Sequence, residues 1–106
     1  MISSPHHAWV LRVSQADSYK ALNCLMDDWY QTAKPDHGLQ SAIGFESYME
    51  ARDWDSAKRS VERTYGRFST EHQSTLDTLN AAIQNRIQMK WRQRALRSAN
   101  AGIVNR

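Results

Sequence analysis

The stretch Leu76-Asp77-Thr78-Leu79-Asn80-Ala81-Ala82-Ile83-Gln84-Asn85-Arg86-Ile87-Gln88-Met89-Lys90-Trp91-Arg92-Gln93-Arg94-Ala95-Leu96-Arg97 decides how this chain is read. Leu76, Leu79, Ile83, Ile87 and Trp91 recur in it at steps of three or four residues, the spacing of one face of an α-helix. Neither proline nor glycine interrupts it, so the spacing predicts one long helix. Its charge is one-sided. Asp77 is the last acidic residue, and the 29 residues after it carry Arg86, Lys90, Arg92, Arg94, Arg97 and Arg106 without a single acid. The first 77 residues hold eight basic and eleven acidic side chains, so the formal charge of +3 divides into −3 and +6. Such an asymmetry bears on binding rather than on chemistry.

On a helix of 3.6 residues per turn, Arg86, Lys90, Arg94 and Arg97 fall at offsets of 0, 4, 8 and 11 and make one stripe. Ile83, Ile87 and Trp91 make a neighbouring stripe. The expectation is a rod whose apolar stripe turns inward while the cations look outward. Cations beside an aromatic suit nucleic acid: they displace counterions condensed on phosphates, and an indole stacks on an unpaired base. Arginine also contacts phosphate in a bidentate manner. Arg86, Lys90, Trp91, Arg94 and Arg97 are therefore the candidate nucleic-acid-binding residues. The plainer account is a core tryptophan beside a solvated cationic edge, since cations near a helix C-terminus are stabilised by the helix dipole. In a third account the basic helix lies against the acidic first part of the chain, through exposed pairs of about 0–1 kcal/mol each.

Working toward the N-terminus, Ser69 or Thr70 opens this helix with Glu71 in its first turn, and Gly102 is a credible stop. A second helix spans Phe45 to about Gly66 through Phe45, Tyr48, Met49, Trp54, Ala57, Val61 and Tyr65. Its periodicity slips at Asp53-Trp54-Asp55, where Asp53 or Asp55 can cap a new start. A first helix carries Tyr19, Leu22, Met26, Trp29, Tyr30 and Ala33 on one face, capped by Ser14 or Asp17. Pro35 ends it, and residues 34–38 form a turn. Trp9, Leu11 and Val13 alternate as a short strand would, although an extended arm or a first helical turn fits as well. The fold class expected is all-α: a small three- to four-helix bundle with a long basic C-terminal helix, as a single domain over residues 1–106. Residues 1–13 make an N-terminal arm or short strand, and 98–106 a flexible tail.

Composition bounds the core. Leu, Ile, Val and Phe number only 18 of 106 residues, near the range where disorder begins, but disorder usually adds a high net charge that is absent here. Four Trp, four Tyr and four Met supply the missing apolar bulk, each aromatic burying on the order of 150–250 Å². A core this thin can be completed by a partner or by self-association. Trp, Tyr and Arg are enriched at interface hot spots. Trp29, Tyr30, Tyr48 and Trp54 are accordingly the candidate protein-interface residues.

No catalytic or cofactor motif stands out. Glu46, Glu50 and Asp53 share a helix face but have no neighbouring His or Lys to complete acid–base chemistry, and local pairs such as Asp55 with Arg59 account for the charges. His6, His7, His37 and His72 lack the spacing of zinc ligands. The lone Cys24 reads as a small core hydrophobe and excludes an internal disulfide. The start of the chain lacks the features of a signal peptide, and no apolar run is long enough to span a membrane. The functional expectation is a non-enzymatic, cytoplasmic protein without metal or cofactor, acting through protein–protein contact as an adaptor, subunit or inhibitor of a larger machine. Compact chains without motifs are frequent among phage-encoded proteins of that kind. The alternative is a nucleic-acid-binding regulator using the arginine-rich helix.

Overall fold

Pro5 occupies the first position of a helix, where its missing N–H has no partner to lose and its fixed φ suits the turn. That helix, α1, spans Pro5–Gln15 in the computed structural model, which describes residues 5–33, 42–67, 70 and 72–104. The arm or strand expected over residues 1–13 is thus corrected to helix from Pro5 onward. The alternation of Trp9, Leu11 and Val13 misleads because Leu11 is exposed, whereas Val13 and Ala16 are buried and Trp9 packs against the core. Steps of four and three through 9, 13 and 16 are helical spacing.

The second helix, α2, spans Tyr19–Ala33. Its cap is Ser18, not Ser14 or Asp17: the Ser18 hydroxyl accepts the Ala21 N–H at 3.1 Å. Leu22, Met26 and Trp29 bury the inner face. Cys24 is exposed, which corrects its reading as a core residue. The turn expected over 34–38 lies outside the described residues.

The second predicted helix does break at Asp53. Helix α3 spans Phe45–Glu50 and α4 spans Trp54–Tyr65, with the Asp53 carboxylate accepting the Ser56 N–H at 3.2 Å and the Ser56 hydroxyl at 2.8 Å. The corner is a glycine-type helix stop made without glycine. Arg52, at φ 57°, donates its N–H to Met49, and Asp53 donates to Tyr48. A left-handed non-glycine residue costs on the order of 1 kcal/mol or more. Two outside contacts hold it there: the Arg52 guanidinium pairs with Asp27 of α2 at 3.1 Å, and its carbonyl accepts from Arg86 at 3.1 Å. At the other end of α3, Gly44 has φ 79°, and a Cβ there would lie 2.9 Å from the Tyr48 ring. Ser60, buried in α4, donates to the Ile43 carbonyl at 2.6 Å and ties α4 to that turn.

Helix α5 spans Gln73–Val104. It begins later than Ser69 or Thr70 and, contrary to expectation, does not stop at Gly102; residues 98–104 continue the helix instead of forming a tail. Ser69 and Glu71 lie outside the described residues. At about 1.5 Å per residue, 32 residues reach roughly 48 Å, most of the molecule's 58 Å length. Helix α5 packs on α1, α2 and α4, while α3 packs on α4. The described residues thus form the expected all-α bundle with a long basic C-terminal helix, with α1 an unforeseen member. No described helix is long and apolar enough to cross a membrane.

One buried polar side chain joins the ends of this chain. The Asn85 amide donates to the carbonyls of Val13 at 2.7 Å and Ala16 at 2.9 Å. A helix leaves its last carbonyls without partners, and at the buried end of α1 Asn85 supplies two donors. Asn85→Ala leaves those acceptors unmet and should cost about 1–3 kcal/mol in urea unfolding, with Asn85→Asp at least as damaging because it sets a carboxylate against two carbonyls. A loss inside the roughly 0.5 kcal/mol of ordinary surface changes would contradict this role. Asp53 gives a second prediction. The Ser56 hydrogen bonds, then the charges of Arg59 and Arg86, hold its carboxyl below the ordinary 3.8. Its stabilising charge is complete above the unfolded value and lost as pH falls through the lower native value. Asp53→Asn keeps the cap but not the charge, so the stability gap between the two proteins should be widest near neutral pH and close below about pH 4. A gap that does not change with pH would refute it.

Candidate nucleic-acid interface

The buried seam of α5 begins with His72, at its N-terminal boundary, and continues through Leu76, Leu79 and Ile83, all at least nine-tenths buried. The steps between them are four, three and four. Alternating threes and fours average 3.5 residues, close to the helical period, so the seam keeps its direction. The same alternation continues through Arg86, Lys90, Gln93 and Arg97. One face of one helix therefore changes from apolar to cationic at Arg86, one turn before the last buried side chain described on α5, Met89. From Lys90 to Arg97 every residue is exposed.

This corrects the expected phase of the helix. Ile83 is buried, but Ile87 is 43% and Trp91 63% exposed. Successive steps of four advance about 400°, so each drifts about 40° around the rod. Two such steps after Ile83 carry Ile87 and Trp91 off the core face. Met89, on a second seam with Thr75, Thr78, Ala82 and Asn85, is buried instead.

The cations thus face not away from the bundle but along its inner side, toward the start of α2. There they line a groove of about 550 Å³. Arg86, Lys90, Arg94 and Arg97 form its cationic wall with Gln93, and Tyr19 and Asn23 of α2 form the other wall. Four of the five candidate residues on α5 are brought together in this way. Trp91 lies outside the groove lining, and the Arg94 guanidinium sits 5.4 Å from its ring. Among the described residues no carboxylate pairs with Lys90, Arg92, Arg94 or Arg97, in contrast to Arg52, which pairs with Asp27, and Arg67, which pairs with Glu62. The expected Asp55–Arg59 pair is not formed either, and Arg59 donates to the Ser56 hydroxyl.

Arg86 differs from its neighbours. Its guanidinium lies 4.4 Å from the ring of buried Trp54 and donates to the Arg52 carbonyl. It is a hinge pin between α5 and the α3–α4 corner, with most of its N–H groups still to be used. Glu46 and Glu50 act on Tyr30: burial, then their charges, push its hydroxyl above the ordinary 10.0.

Of the four aromatics expected to form a protein-contact surface, the two tryptophans are withdrawn into the core. Trp29 and Trp54 are buried in the core, and Tyr30 and Tyr48 are partly buried, packed against it. They fill the space that Leu, Ile and Val are too few to fill. The exposed large apolar side chains are others, among them Ile43, Ile87, Trp91 and Leu96. Tyr19, Asn23 and Gln93 were missed as site residues. Only the alternating register shared by Ile83 and Gln93 could have placed the last of them, and nothing local marks the first two. No group of three or more metal-binding side chains occurs among the described residues.

The distinct place of Arg86 is testable. Arg86→Ala removes a cation–π contact and a hydrogen bond and should cost about 1–2 kcal/mol. Lys90→Ala and Arg97→Ala should stay within roughly 0.5 kcal/mol. Equal losses at all three positions in chemical denaturation would show that the whole stripe, and not its first member, supports the fold. Comparison of the chain with protein-family models, with curated proteins and with solved structures finds no match in any of the three.

Proposed function

We propose that this protein is a non-enzymatic binding protein whose cationic α5 groove holds the phosphate backbone of nucleic acid. The observation that carries this reading is the continuation of the core seam as Arg86, Lys90, Gln93 and Arg97, without a carboxylate partner for Lys90 or Arg97, or for the adjacent Arg94, among the described residues. Cations held apart from acids stay free to meet phosphates, and displacing the counterions condensed on those phosphates drives association. Arginine forks give the contacts direction. The reading reverses the order expected from sequence, because Trp29 and Trp54, which were to carry protein contact, are buried.

Protein contact remains a second reading on a different surface. Ile87, Trp91 and Leu96 are all more than two-fifths exposed on the projecting half of α5, and tryptophan beside arginine is typical of interface hot spots.

Titration with a labelled oligonucleotide at several salt concentrations separates the two. The proposal expects binding at low salt that weakens steeply as salt rises, and a triple change of Lys90, Arg94 and Arg97 to Gln should flatten the slope by about two to three. Arg86 is left unchanged because its loss is expected to disturb the fold. No binding at low salt, or a slope unaffected by the triple change, would refute the reading.

A further inference from the structure

We infer that the groove between the start of α2 and α5 is a nucleotide subsite that accepts an unpaired base, so that single-stranded nucleic acid binds in preference to duplex. This inference rests on the reading above. A row of arginines pointing straight out to solvent could lie along a duplex, but here the row continues the buried seam and is walled on one side by Tyr19 and Asn23. A duplex is stiff, with its phosphates on the outside and its bases stacked within. Its rigid outer surface meets the α2 wall of Tyr19 and Asn23 before it can follow the cations into the groove. A single strand is narrow and flexible, and its bases can be turned out.

The chemistry of the lining matches one nucleotide. About 550 Å³ is within the size of sites that enclose small ligands, roughly 300–1,000 Å³. Lys90, Arg94 and Arg97 supply phosphate contacts. Tyr19, 36% exposed on the first turn of α2, supplies a ring face for stacking. Asn23 and Gln93 each carry both a donor and an acceptor, the pair of functions needed at a base edge. No carboxylate lines the groove. Trp91, outside it, offers a second platform to the next base along the strand.

The test compares four probes at low salt by fluorescence anisotropy or calorimetry: a 12-nucleotide oligouridylate, the matching oligothymidylate, a duplex of the same length, and uridine monophosphate. The expected result is that at least one single strand binds tenfold or more above the duplex. Tyr19→Ala should weaken that single strand roughly 5- to 150-fold, the worth of one stacked base, while Tyr19→Phe stays within about twofold and duplex binding does not move. Equal affinity for strand and duplex would overturn the subsite while leaving phosphate binding intact. So would a Tyr19→Ala protein that binds the strand as before. The monophosphate binding as tightly as the oligomers would make the groove a site for free nucleotides and overturn the strand preference. Failure of every probe would remove the nucleic-acid reading itself.

Discussion

The direction of one seam on α5 governs this molecule. A four-three alternation holds His72, Leu76, Leu79 and Ile83 on a constant side of the rod, and the bundle assembles on that side. Because the alternation does not stop with the apolar residues, it delivers Arg86, Lys90, Gln93 and Arg97 to the same side. Fold and groove are consequences of one register. Each position along it is decided by a simple balance: burying an apolar side chain stabilises by about 1.5–3 kcal/mol, while burying an unpaired cation costs far more. The packed part of the helix therefore gives way within one turn of the first cation, at Met89.

Four contacts make the transition abrupt. Arg86 lies over Trp54 and donates to the Arg52 carbonyl, Arg52 reaches Asp27, and Asp53 caps α4. Through them α2, the α3–α4 corner and α5 are fixed relative to one another just below the groove. Asn85, one residue earlier, fixes α1 on the opposite flank through two carbonyls. The last polar residue inside the bundle and the first cation outside it are thus neighbours in sequence. Both are committed to holding helices together, and the run from Lys90 to Arg97 is exposed and available for contact.

The chain's all-helical character, the break at Asp53 and the uninterrupted final rod were legible from proline placement, capping chemistry and apolar periodicity. Helix α1 was not, because two valines and a period-two coincidence at Trp9, Leu11 and Val13 imitate a strand, and Pro5 at the first turn was the overlooked signal. The phase of α5 was misread for a quantitative reason. Leu76, Leu79, Ile83, Ile87 and Trp91 look like a stripe, but steps of four alone rotate away from the core, whereas the less conspicuous polar series with mixed steps stays on it. The burial of Trp29 and Trp54 follows from scarcity: with so few aliphatic residues, aromatics must serve as core. The α2 wall of the groove was beyond reach from sequence, since Tyr19 and Asn23 meet α5 only through the packing of distant segments.

Amide hydrogen exchange along α5, with and without the preferred oligonucleotide, tests the register claim most directly. Local stability should follow packing within a single helix. The account predicts protected amides from about Leu76 to Met89 in both samples, and amides from Lys90 to Arg97 that exchange readily alone and slow when the strand is added. Protection that runs evenly through Arg97 in the free protein, or a segment from Lys90 to Arg97 that the strand leaves untouched while it binds elsewhere, would contradict it.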